Sequence, residues 1–177
     1  DEGHTRITYI NLVTDDTLAD EFRPNADLQL IEDSVTDEYV SLEGSKTVGG
    51  IDWPIYRVRL TDSGDISLSF DSSASSDDDA PEGERGIEMF EYRVFFDYPV
   101  DSSSPTLEGH TFQVPDAAGG DIWNYVFRNM TSDGTLENQI RLELIVYDRA
   151  GKQSEKARIY FIVVGEDFGD EPPVVDI

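Results

Sequence analysis

Ile66-Ser-Leu-Ser-Phe70, then Asp71-Ser-Ser-Ala-Ser-Ser-Asp77-Asp-Asp79-Ala-Pro-Glu-Gly-Glu-Arg-Gly86, then Ile87-Glu-Met-Phe-Glu-Tyr-Arg-Val-Phe-Phe96, is the stretch that decides the fold class. In its first part Ile66, Leu68 and Phe70 alternate with serines, which gives a strand one apolar and one polar face. The Ser/Asp run that follows has nothing to bury and ends in a Pro/Gly cluster. Ile87–Phe96 then returns as an aromatic strand, with a change of apolar register between Met89 and Phe90 that predicts a β-bulge. Strand, acidic loop and aromatic strand together point to an antiparallel sandwich with a candidate cation site at one end.

The same period of two recurs on both sides of this stretch. Tyr56, Val58 and Leu60 alternate with Arg57 and Arg59, and Thr61-Asp-Ser-Gly-Asp65 predicts a hairpin turn into Ile66–Phe70. His110–Val114 and Ile122–Arg128 follow as strands on either side of a Gly119-Gly120 turn. Ile140, Leu142, Leu144 and Val146 alternate with Arg141, Glu143, Ile145 and Tyr147, and Asp148-Arg-Ala-Gly151 turns this strand back into Ala157–Val164. Upstream, Leu28–Glu32 and Glu38–Leu42 are short strand candidates. Arg6–Val13 is a strand with apolar residues on both faces, suited to lie between other elements. About 8–10 strands at short spacing, with no amphipathic segment of helical length, predict an all-β sandwich. Residues 1–50 are expected to form an N-terminal β extension that joins either the sandwich or a neighbouring subunit. Residues 51–165 form the sandwich, and residues 166–177 an acidic linker whose Pro172-Pro173 enforces an extended path.

Composition limits the function classes. The 177 residues carry 38 acidic and 13 basic side chains, a net charge of -25. Such a surface repels phosphate backbones and anionic lipid, and it attracts cations and basic surfaces. Nucleic acid is therefore not an expected partner. Only three of the basic residues are lysines, Lys46, Lys152 and Lys156. A carboxylate-dense, lysine-poor surface suits a protein of high salt, where screening removes self-repulsion, and it also suits an ordinary acidic extracellular protein. With no cysteine, disulfides and thiol chemistry are absent. No run approaches the ~18 apolar residues of a membrane span, so no membrane insertion is expected. The chain begins at Asp1 rather than Met, as a secreted protein does after its signal peptide is removed. An extracellular or cell-surface location is the expectation.

Ile66–Phe70, Asp71-Ser-Ser-Ala-Ser-Ser-Asp77, Tyr92-Arg-Val-Phe-Phe96 and Leu142-Glu-Leu-Ile-Val-Tyr-Asp148-Arg-Ala-Gly151 together resemble the PKD (polycystic kidney disease) repeat. The resemblance covers residues 52–165, and Glu171-Pro-Pro-Val-Val175 is similar to the joint between tandem copies. Val94-Phe-Phe-Asp-Tyr-Pro99 stands where that family carries Trp-Asp-Phe-Gly-Asp-Gly. The resemblance implies an immunoglobulin-like sandwich of secreted or surface proteins. It also implies that the Asp of the Ser/Asp loop and the Asp of the closing hairpin lie at the same end.

That placement nominates Asp77, Asp79 and Asp148, with Asp71 at the head of the same loop, as oxygen ligands for Ca2+, which takes several carboxylates among its six to eight ligands. The competing reading is a solvated acidic loop. Asn129-Met-Thr131 is an N-glycosylation sequon at a strand end. Trp53, Tyr56, Trp123 and Tyr125 are either core or a sugar-stacking platform. His4 and His110 stand apart from any nucleophile motif, and no Gly-x-Ser-x-Gly, His-Glu-x-x-His or phosphate-cradling loop occurs, so an enzyme is not expected. The expected function is a non-enzymatic extracellular module of a filament, sheath, surface layer or adhesin, joined to like subunits or neighbouring repeats and cross-linked by Ca2+. Strand addition through residues 6–13 is one route to assembly, and pairing of that strand within its own chain is the alternative. The rival function is an accessory module of a secreted enzyme that binds polysaccharide or a surface protein.

Overall fold

The computed structural model describes residues 23–96, 110–128 and 138–164. In chain order these form β1 (Gln29–Leu30), α1 (Ser34–Tyr39), β2 (Val40–Val48), β3 (Ile51–Arg59), β4 (Asp65–Asp71), β5 (Ile87–Phe96), β6 (His110–Pro115), β7 (Ile122–Arg128), β8 (Asn138–Asp148) and β9 (Ala157–Val164). The strands make two sheets, one of three strands in the order β1-β4-β7 and one of six in the order β2-β3-β9-β8-β5-β6. Among the described strands only β3 and β9 run parallel; the other pairs are antiparallel. The architecture is an all-β sandwich.

The alternation seen in the sequence supplies the core. From the small sheet Ile66, Leu68, Phe70 and Phe127 point inward, and from the large sheet Phe90, Tyr92, Val94, Leu142, Leu144, Val146, Ile159 and Phe161; all are buried. Phe161 sits between the sheets, edge-on to Phe70 at 5.9 Å and tilted against Phe127 at 4.8 Å between ring centroids. Burying each such side chain stabilises the fold by about 1.5–3 kcal/mol before chain entropy is counted. On the opposite face of β8, Glu143 is 1% exposed; its Oε1 accepts from Arg158 at 3.0 Å, and its Oε2, which has no hydrogen bond, forms an ion pair with Lys156 at 3.2 Å. A carboxylate buried this deeply requires such partners.

Three expectations about local structure change. Thr61–Asp65 does not close a hairpin. β3 belongs to the large sheet and β4 to the small one, so this turn carries the chain between layers, held by a Thr61 N–H to Asp65 C=O bond of 3.2 Å. Period-two patterning tells which side chains face the core, and both strands meet that requirement equally well from opposite sheets. The hairpin partner of β3 is β2, across Gly49-Gly50, whose φ angles of 63° and 83° suit a tight two-residue turn. Second, Glu38–Leu42 is not a strand throughout, because α1 runs to Tyr39. Asp33 caps this single turn by accepting from the N–H groups of Val35 and Thr36, while the Thr36 side chain accepts the Asp33 N–H. Third, the bulge in β5 lies between Ile87 and Met89 rather than between Met89 and Phe90. The strand Arg6–Val13, the sequon Asn129 and the tail 166–177 lie outside the described residues.

Candidate functional site: an acidic cavity between two loops

The β4–β5 loop, which holds most of the acidic run, is tied down at many points. Ser72 N–H bonds the carbonyl of Asp121 at 2.7 Å, and Ser76 pairs with Asn25. Asp77 N–H bonds the carbonyl of Arg85 at 2.9 Å, so the loop folds back on itself at Asp77. The Arg85 guanidinium reaches Asp121 at 3.1 Å, pairs with Asp116 and lies 5.3 Å from the centre of the Phe90 ring. Gly86 closes the loop at φ +78°, a left-handed conformation, and a Cβ there would stand 2.6 Å from the Ala80 Cβ and 2.7 Å from the Asp77 Cβ.

The second side of the site is the β8–β9 turn. Asp148 is 5% exposed. Its Oδ1 accepts the Lys152 N–H at 2.8 Å, and its own N–H bonds the Lys152 carbonyl at 3.1 Å. An exposed ion pair of 2.7 Å between Arg149 and Glu84 ties this turn to the β4–β5 loop.

Between the two loops is an open cavity of about 160 Å³ lined by Asp77, Asp79, Ala80, Pro81, Gly86, Asp148, Arg149 and Ala150. Three of the four residues nominated from the sequence, Asp77, Asp79 and Asp148, therefore meet. Asp71 does not line the cavity. Its carboxylate accepts the Ser73 N–H at 2.8 Å at the start of the loop, and a hydrogen bond from the Ser73 side chain, with this backbone bond second, holds its pKa below the usual carboxylate value.

The Asp77 carboxyl is pushed up to about 6, by burial first, then by a hydrogen bond to the Asp79 carboxyl and the charges of Asp79 and Asp148. Asp77 Oδ1 is buried with no hydrogen-bond partner. Among the described residues no three His, Asp or Glu side chains are gathered closely enough to hold a metal ion as they stand. The donor chemistry, all hard oxygen, suits Ca2+.

The other sequence candidates take structural places. Trp53, Tyr56, Trp123 and Tyr125 are partly buried and pack against the core, with Trp123 stacked on Tyr92 at 4.7 Å. Sequence reasoning passed over Arg85, because a single arginine in an acidic loop gives no sign of the aspartates in the β6–β7 connection that it will meet. No protein-family model and no curated protein matches this chain.

Proposed function

We propose that this chain is a PKD-like, non-enzymatic module of a secreted or cell-surface protein, one that builds assemblies from like subunits and is braced by Ca2+ at the end of the sandwich bearing Asp77 and Asp148. The observation that carries this reading is the meeting of carboxyl groups from two loops far apart in sequence around one cavity, with a buried, undonated oxygen on Asp77. A divalent cation in this cavity would use Asp77, Asp79 and Asp148, would relieve their mutual repulsion and would tie the β4–β5 loop to the β8–β9 turn. The surplus of carboxylates, 38 against 13 basic residues, supports a wider role for cations in bringing like surfaces together.

Electron microscopy and light scattering of the full chain, with Ca2+ and with a chelator, test the proposal. Assemblies that form with Ca2+ and disperse on chelation are expected. Monomers under both conditions would overturn it.

A further inference from the structure

The large sheet ends at β2 and β6 and the small one at β1 and β7, and among the described residues nothing pairs with the outer sides of these four strands. Proteins guard such edges with short strands, prolines, bulges and charges. β1 is two residues long, β6 ends in Pro115, and β2 carries a register break between Leu42 and Gly44 beside Glu43 and Lys46. β7, Ile122-Trp-Asn-Tyr-Val-Phe-Arg128, has no proline, glycine or bulge. It has no carboxylate either, and its single charge, Arg128, comes last. Its outer face is open to solvent, with Ile122 47% and Val126 41% exposed.

The free backbone groups of β7 are self-complementary. Ser72 N–H bonds the Asp121 carbonyl, so along the ladder Phe70–Trp123, Leu68–Tyr125 and Ile66–Phe127 are the hydrogen-bonded pairs with β4. The N–H and C=O groups of Ile122, Asn124, Val126 and Arg128 therefore point away from β4. These four residues are spaced evenly about Tyr125. An antiparallel copy of the same strand, related by a two-fold axis at Tyr125, satisfies them all. Asn124 then faces Val126 of the second copy and Ile122 faces its Arg128, each as a hydrogen-bonded pair, while the two Tyr125 residues meet between the bonds.

Charge selects the same partner. Among the described residues Arg128 forms no ion pair. Asp65, opposite it on β4, instead accepts from the Ser63 hydroxyl at 2.8 Å. Ile122 pairs with Asp71 across β4. In the two-fold arrangement Arg128, Ile122 of the second copy and Asp71 of the second copy thus form one cross-strand row on the outer face. Two strand spacings, about 10 Å, separate the arginine and aspartate backbones, a span that their side chains bridge. The contact closes with one such ion pair at each end, which fixes its register. Two chains of net charge -25 repel each other over most of their surface, and β7 offers a meeting place without carboxylates. We infer that β7 pairs with β7 of a second copy, antiparallel and centred on Tyr125, joining two three-stranded sheets into one of six. This rests on the reading of the protein as a module that assembles from like subunits, and it names one contact of that assembly.

The chain has no cysteine of its own, which makes the test clean. Full-length chains carrying Asn124→Cys are mixed in Ca2+ with full-length chains carrying Val126→Cys, then oxidised, and each variant is also oxidised alone. Directly opposed residues of a hydrogen-bonded pair have Cα atoms about 5.5 Å apart, within disulfide reach. A linked species of twice the chain mass is therefore expected chiefly in the mixture. Val126→Lys, which adds a charge at the edge, and Val126→Pro, which removes an N–H that β4 does not use, are both expected to abolish the contact in analytical ultracentrifugation. Circular dichroism identifies a variant that has not folded, and the other then serves. Equal cross-linking in the mixture and in the single variants would overturn the inference, as would none in any of them, the result if another segment covers β7. Assembly of folded Val126→Lys or Val126→Pro as in wild type would overturn it too, yet would leave the assembly reading standing. A wild-type protein that stays monomeric in Ca2+ and in chelator would remove both.

Discussion

Asp77 and Asp148 sit on loops from opposite ends of the sandwich sequence, yet they line one cavity, and the charge of Asp148 helps to raise the Asp77 pKa. In cation-free protein this has a signed consequence. Asp77 holds its proton more tightly folded than unfolded, with a folded value of about 6 against an ordinary 3.8. Its contribution to stability is complete below the unfolded value and is lost as pH rises through the folded one. Urea unfolding in a chelator should therefore show stability declining between these two pH values, and Asp77→Asn should remove that slope. An unchanged slope in Asp77→Asn would place its origin elsewhere.

Gly86 sets the shape of the loop that carries Asp77. Gly86→Ala combines a left-handed backbone, worth about 1–2 kcal/mol for a residue with a Cβ, with contacts below 3 Å to Ala80 and Asp77. Gly64 has a similar φ of +80° and open space around it. Gly64→Ala should thus cost only the backbone strain, and Gly86→Ala distinctly more, in chemical denaturation. Equal losses would show that the packing at Gly86 is not tight.

Tyr92 joins the core to the connection between the sheets. Its O–H donates to the Gly120 carbonyl at 2.7 Å and lies 3.2 Å from the Ser72 hydroxyl, and burial pushes its pKa up to about 12. Tyr92→Phe leaves the Gly120 carbonyl without this donor, at a cost of about 1–3 kcal/mol. For a domain of this size that corresponds to a fall in Tm of roughly 2–4 °C per kcal/mol. A Tm equal to wild type would show that water replaces the phenol.

Much of this architecture is written in the alternation of residues. β5, β7 and β9 lie where period two puts them, and β4 and β8 extend it by a residue or two, because burying one face of a strand leaves a direct mark on its sequence. Partner choice leaves a weaker mark. β3 and β4 look like a hairpin since both are amphipathic and joined by a turn, but they stand in different sheets, and only the ladders with β9 and β7 separate them. The Asp33–Thr36 capping box was legible in principle, yet the short α1 has no apolar stripe to draw attention to it. At the site, the residues of the two loops could be paired only through the resemblance to a known repeat, since nothing in the spacing of Asp77 and Asp148 fixes their distance. Asp71 shares the acidic run but turns to Ser73, a local bond that composition does not disclose.

The most direct test is thermal unfolding of wild type, Asp77→Asn and Asp148→Asn with a chelator, with Mg2+ and with Ca2+. A ligand present at 100 times its Kd stabilises the folded state by about 2.7 kcal/mol, so wild type should gain several degrees in Ca2+. Both variants should lose that gain, and Mg2+, which needs a tighter octahedral shell, should give little of it. A wild-type Tm that is the same in Ca2+ and in chelator would contradict the cation-braced site.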